Sequence, residues 1–378
     1  MRGRTHKALL LFPLLLCLLL FTPANAAEEK ESTDAPLSAQ ELKEEVKEGL
    51  LSVLPDPARD ALPDPSDSEA VKEAVGFAHL FSLFTDSLVD GLSSEGGRLF
   101  GILAVTVLFA AVSLYGRGEG LTLFLQSSAS VALYALLSPT LLRVGSFFSD
   151  LSTFTGGAAA LFVAVFAAGG APAGAAAAGG GFASFLTLLD LLGTSLLTPL
   201  LHVLLALALL GALEGDGGIA GEIAGRISGL FIFLLSTLSM LLLASLAFES
   251  SLAGNADSVA LRTVKYTLSS AIPVVGGTVS ATLGALHSSL SLIKSTLGGA
   301  SVVVLLSLLF PLLAELFLLR LALSLAGSVT AFLGTRTLSG VLGRFQRVLD
   351  LALAAVAILS VLFLLTVGIF TGLSPFSG

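Results

Sequence analysis

Cysteine, tryptophan and charge are what this chain has least of. Its one cysteine among 378 residues, Cys17, falls inside an N-terminal apolar run. A single thiol excludes an intramolecular disulfide, and removal of that run excludes thiol catalysis as well. Leu16 precedes Cys17 where a lipoprotein site needs a small residue. The four histidines (His6, His79, His202, His287) are too scattered to outline a metal cluster, and no cofactor site is expected. Tryptophan is absent, so an interfacial aromatic belt must come from three Tyr and 25 Phe. Charged residues make up 12% of the chain against 54% hydrophobic ones, and mean hydropathy is +0.95. A soluble domain could not hide so much apolar surface. The chain reads as an all-α, polytopic helical membrane protein.

What charge there is lies unevenly. Residues 27–98 hold 17 of the 27 acids and six bases, while the part from 99 onward has ten of each. The chain's excess of acids over bases therefore comes from one N-terminal segment. Phosphates would be repelled there, which argues against nucleic-acid binding.

Residues 1–26 have the parts of a secretory signal peptide. Arg2, Arg4 and Lys7 form a basic start, 8–21 an apolar core, and Ala24-Asn25-Ala26 a cleavage site. An uncleaved first span is the competing reading, and the short core disfavours it. Residues 27–97 would then form an acidic extracytoplasmic segment. Ser38-x-x-Glu41 makes a capping box ahead of Leu42, Val46, Leu50 and Val53 at helical spacing. A second amphipathic helix is expected from Asp67, using Val71, Val75, Ala78, Phe81 and Leu88. Such helices suit either docking or a solvated spacer.

Seven stretches follow that could span a bilayer: 98–115, 121–142, 154–174, 182–213 (either tilted or kinked at Pro199), 227–247, 300–319 and 351–370. The first five form one transmembrane group (98–248) and the last two a C-terminal group (299–378). The run GGAPAGAAAAGGG at 169–181 lacks the Gly-Lys-Ser/Thr of a phosphate loop and suits close helix packing or a break between spans. Arg320, Arg336, Arg344 and Arg347 concentrate in the loop 320–350, which the positive-inside rule makes cytoplasmic. Seven crossings from an outside N-terminus would put that loop outside. One hidden or re-entrant crossing resolves the conflict, so seven or eight spans are expected.

Between the two groups lies an insert, 249–298, that is not a span. Asp257, Arg262 and Lys265 charge its first part, and Pro273 with Gly276 and Gly277 breaks its middle. Its second part places Val279, Leu283, Leu286, Leu290, Ile293 and Leu297 at alternating steps of four and three, a heptad-like seam on one helix face. The other faces are rich in Ser and Thr, with one lysine, Lys294, and no aromatic. A free interfacial helix would carry more Lys/Arg and some Phe or Trp. The narrow seam suits contact with other helices, including copies of itself.

The run DSVALRTVKYTLSSAIPVVGG (257–277), with the amphipathic helix ending LIKSTLG (292–298), resembles the corresponding block of the stage III sporulation protein AE family. The order of parts agrees along most of the chain. The resemblance implies a membrane component of a channel-like complex linking mother cell and forespore. It implies placement in the mother-cell membrane around the forespore and a need for the protein in late forespore gene expression. The implied partners are the other stage III sporulation A proteins, alongside membrane lipids.

Ionisable groups at membrane depth usually mark function. Asp190, His202, Glu315 and Arg320 are the candidates. Glu315 and Arg320, five residues apart, do not share a helix face and would serve different neighbours. No H-E-x-x-H, G-x-S-x-G or paired carboxylates with a base occur, which points away from an enzyme. A small-molecule or ion permease using Asp190, His202 and Glu315 is the alternative to the assembly role. Hydrogen bonds between helices are the plainer explanation of those groups.

Overall fold

Residues 39–59, 62–64, 67–115, 119–214, 218–271 and 276–372 are described by a computed structural model, the side chains of 39–40, 42–43, 56–57, 68, 77, 114–115, 119, 257–290 and 336 excepted. The signal peptide expected at 1–26, Ser38 and Pro273 lie outside the described residues. Most of the described residues are helical. Helix α1 is Ala39–Val53, α2 Asp56–Arg59, α3 Ser68–Ala74, α4 Phe77–Tyr115 and α5 Glu119–Ala168. Helix α6 (Pro172–Leu189) runs through a π-helical segment (Asp190–Leu197) into α7 (Thr198–Glu214). Helices α8 (Ile219–Ala271), α9 (Gly276–Phe332) and α10 (Arg336–Gly372) complete the bundle.

Six helical stretches among the described residues are long and apolar enough to cross a membrane: Ala78–Ser113, Gly120–Ala168, Pro172–Glu214, Ile219–Ala256, Ser291–Phe332 and Thr337–Gly372. This is fewer than the seven or eight expected, because 121–142 and 154–174 are not two spans. Both belong to α5, apart from the last few residues of the second. The polar interval between them contains no proline, and hydroxyls in and just after it return to the helix's own carbonyls. Ser146 donates to Arg143 O (3.0 Å), Thr153 to Ser149 O (3.0 Å) and Thr155 to Leu151 O (2.6 Å). A Ser/Thr-rich stretch satisfied in this way needs no loop. With six single crossings, an outer N-terminal segment leaves the 333–335 turn and its arginines on the opposite side. The conflict over the basic loop then disappears.

Two turns between spans are closed by glycines that the backbone requires. Gly170 has φ +68° and Gly334 φ +78°. After α5, Gly170 N–H donates to Ala167 O and Ala171 N–H to Phe166 O; after α9, Gly334 N–H donates to Ala331 O and Thr335 N–H to Thr330 O. These paired bonds are Schellman caps, whose left-handed position strongly favours glycine. Gly334→Ala should lower the stability of the bundle by about 1 kcal/mol. Unfolding in mixed micelles, compared with Gly327→Ala inside α9, measures it. No atom lies within 4 Å of a Cβ at either position, so crowding does not enter.

Elsewhere glycine lets helices touch. A Cβ on Gly181 of α6 would stand 2.5 Å from the Phe370 ring of α10 and 2.7 Å from Leu246 of α8. The 169–181 run thus serves as a turn at its start and as a packing face at its end. Phe162 stacks on Phe182 (5.2 Å between centroids), and Phe182 reaches Phe370 (5.4 Å). Phe363 meets Phe185 (5.8 Å) and Phe154 (6.1 Å). These rings tie α5, α6 and α10 together. Helix α9 is the most buried of the spans and α4 the least.

An irregularity appears just before Pro199, as the π-helical turn Asp190–Leu197. Proline cannot donate and crowds the preceding turn. The wider turn lets Thr198 donate through its hydroxyl to Gly193 O, 3.2 Å away, and brings Gly193 against Phe148 of α5.

The acidic segment is partly docked on the bundle. Val46 and Leu50 of α1 are buried in the main core, and Val53 covers Gly157 of α5. The Asp67 carboxylate caps α3, accepting from Glu69 N–H (2.9 Å) and Ala70 N–H (3.2 Å). The second amphipathic helix breaks at Val75–Gly76 and resumes as α4. Helix α4 crosses the boundary expected at 97/98 without interruption. The insert is likewise the end of α8 and the start of α9, so 248/249 and 298/299 fall inside long helices.

Candidate functional site

Glu95 and Arg98 sit three residues apart on α4, Thr140 and Arg143 three apart on α5, and Glu315 in the middle of α9. Spacing of three puts each pair on one helix face, and the packing of the three helices turns those faces together. Arg98 Nη1 donates to Glu95 Oε2 (2.6 Å), Glu315 Oε1 (2.9 Å) and Thr140 Oγ1 (3.3 Å). Arg143 Nη1 donates to Glu95 Oε1 (2.9 Å) and Glu315 Oε2 (2.8 Å). The Thr140 hydroxyl donates to Glu315 Oε1 (2.6 Å). The result is a closed ring of two carboxylates and two guanidiniums.

Both carboxylates are almost fully buried, their side chains 5% and 4% exposed, whereas Arg143 is 55% exposed. All five residues lie within apolar stretches of spanning length. Isolated charges there would cost at least a few kcal/mol each. Pairing makes the ring neutral, and every carboxylate oxygen accepts at least one bond. That chemistry suits a clamp between three helices: each carboxylate is held by both guanidiniums. Close packing nearby supports it. A Cβ on Gly91 of α4 would lie 3.3 Å from Leu318 of α9, and Phe84 meets Phe310 edge-on at 5.5 Å.

Of the polar residues that the sequence points to, only Glu315 enters this ring. Arg320, five residues on, pairs with Asp350 of α10. Asp190 accepts from Thr194 on its own helix (2.7 Å), and His202 Nδ1 bonds Thr198 O (2.8 Å). The three residues of the permease alternative therefore have separate partners and form no common site. Within the insert, Asp257, Arg262 and Lys265 lie in the last part of α8 and Gly276 opens α9. The side chains of Val279, Leu283, Leu286 and Leu290 lie outside the described residues. Ile293 and Leu297 are buried in the bundle's own core. Lys294 is buried too, with Nζ 4.6 Å from the centre of the Phe166 ring. The lower end of the seam is thus covered by the chain itself.

Sequence reading missed Glu95, Arg98, Thr140, Arg143 and Asp350. A signal was present. Glu95-x-x-Arg98 stands at the entrance to one apolar run, and Arg143 directly follows another.

The family model for stage III sporulation protein AE matches residues 144–374. The chain belongs to that family. No curated protein and no solved structure matches it. The matched region starts one residue after Arg143 and runs through α10, taking in Glu315, the Arg320–Asp350 pair and the whole insert. It leaves out Glu95, Arg98, Thr140 and Arg143. The ring therefore joins the family region to the helices that precede it. A sporulation membrane protein of this family with several apolar helices is a multi-pass membrane protein, and its family is not one of known enzymes.

Proposed function

We propose that this chain is a non-enzymatic subunit of the channel-like complex between mother cell and forespore. It sits in the mother-cell membrane surrounding the forespore and supports late forespore gene expression. Its partners are the other stage III sporulation A proteins. Membership of the family over 144–374 carries this reading. The separate, locally satisfied partners of Asp190 and His202 support it over a permease. In this reading six helices cross, the N-terminal segment faces the space between the two membranes, and the turn 333–335 faces the mother-cell cytoplasm. The excess of arginine around that turn supports the orientation.

The contact with partners is assigned to the upper part of the seam, Val279, Leu283, Leu286 and Leu290. Replacing Leu286 and Leu290 together with Asp should abolish co-purification with the other stage III sporulation A proteins. It should also silence a late forespore reporter, while membrane insertion stays intact. Undiminished co-purification would remove the seam from the interface. Purified chain that is solitary in liposomes and conducts ions unaided would overturn the whole reading.

A further inference from the structure

Between α7, α8 and α10, near the C-terminal end of α7 and the N-terminal ends of α8 and α10, lies a cleft of about 240 Å³. Leu204 and Leu207 of α7, Ile232 of α8 and Leu351 of α10 give it apolar walls. Arg344, Arg347 and Asp350 line its mouth. They stand where α10 changes from charged sequence to the apolar run that begins at Leu351.

The glycines of this cleft differ from those of the core. A Cβ on Gly181 or Gly193 would strike a phenylalanine, but one on Gly221 or Gly225 would meet nothing within 4 Å. Here small residues leave space open. The mouth also carries an exposed cation. Asp350 is held by Arg320, and Arg344 donates to the Gly211 carbonyl near the end of α7. Arg347 is exposed, and no carboxylate pairs with it among the described residues.

We infer that this cleft is a binding site for one anionic phospholipid, with the phosphate at Arg344 and Arg347 and an acyl chain along Leu204, Leu207 and Ile232. Guanidinium groups suit phosphate because their paired donors match its oxygens. Basic pockets between spans at the membrane surface select anionic headgroups. The apolar walls favour a lipid over free phosphate, and a volume of about 240 Å³ is too small for a helix about 10 Å across.

Titration of the purified full chain with phosphatidylglycerol or phosphatidylcholine of identical chains, read by native mass spectrometry, tests this. One phosphatidylglycerol should bind in preference to phosphatidylcholine. Arg347→Gln should weaken its binding about fivefold, and Arg344→Gln with Arg347→Gln about thirtyfold. Should loss of the Gly211 contact unfold the double variant, Arg347→Gln alone decides. Gly225→Leu, which fills the cleft, should abolish binding. Arg226→Gln removes an 83% exposed arginine from the same end and should change nothing. Equal binding of both lipids, displacement by inorganic phosphate, or an Arg226→Gln effect as large as that of Arg347→Gln would each overturn the inference.

Discussion

Glu315→Leu should destabilise the bundle by about 3 to 5 kcal/mol, the usual result of removing one partner from a buried ion pair. The change leaves Arg98 and Arg143 with one carboxylate between them and takes from the Thr140 hydroxyl its acceptor, leaving it the bond from Arg98. The two arginines should not behave alike. Arg98 is 23% exposed and bonds both acids, so Arg98→Leu should cost nearly as much as Glu315→Leu. Arg143 is 55% exposed and can turn its head group outward, and Arg98 still serves both acids without it. Arg143→Leu should therefore be the mildest of the three. Combining Glu315→Leu with Arg98→Leu leaves a neutral Glu95–Arg143 pair. The double change should then cost less than the sum of the single ones, by roughly 2 kcal/mol. Unfolding in mixed micelles across this cycle measures it. Glu222→Gln serves as the reference, because its pair with Arg226 is almost wholly exposed and such pairs contribute little. Additive costs would mean that the ring is four separate contacts and not one clamp.

The ring shows where sequence reasoning stops. Hydropathy alone reveals a helical membrane protein, since the apolar runs exceed what a soluble fold can hide. The block 257–297 was enough to suggest the family. What failed was the placing of helix ends in polar intervals. The stretch 143–153 has the composition of a loop, yet its hydroxyls bond within the helix, so α5 continues through it. In the opposite sense, Glu95 and Arg98 look like a solvated approach to a span until α5 and α9 supply the counter-charges. Partners 172 to 217 residues away in sequence leave no local trace. The heptad seam met a related limit. Its spacing is real, but spacing does not say which helix covers a face. Ile293 and Leu297 are covered by this chain's own core.

Phe363→Ala should cost about 2 to 3 kcal/mol, less than the same change usually costs in a water-soluble core. Phe363 is fully buried between Phe154 of α5 and Phe185 of α6. In a soluble protein a buried Phe→Ala change costs about 3 to 5 kcal/mol, part of which is transfer of the ring from water. Here separated helices would still keep the ring in lipid, so only lost contacts and the cavity remain. A residual cavity on the order of 100 Å³, at about 24 cal/mol per Å³, gives the lower figure. Phe332→Ala is the matched control. Phe332 is 91% exposed at the end of α9, and its removal opens no cavity. Equal effects at the two positions would mean that the phenylalanine contacts do not hold α5, α6 and α10 together. A loss near 5 kcal/mol at Phe363 would instead mean that unfolding exposes the ring to water, so the outer ends of these helices leave the bilayer when they separate.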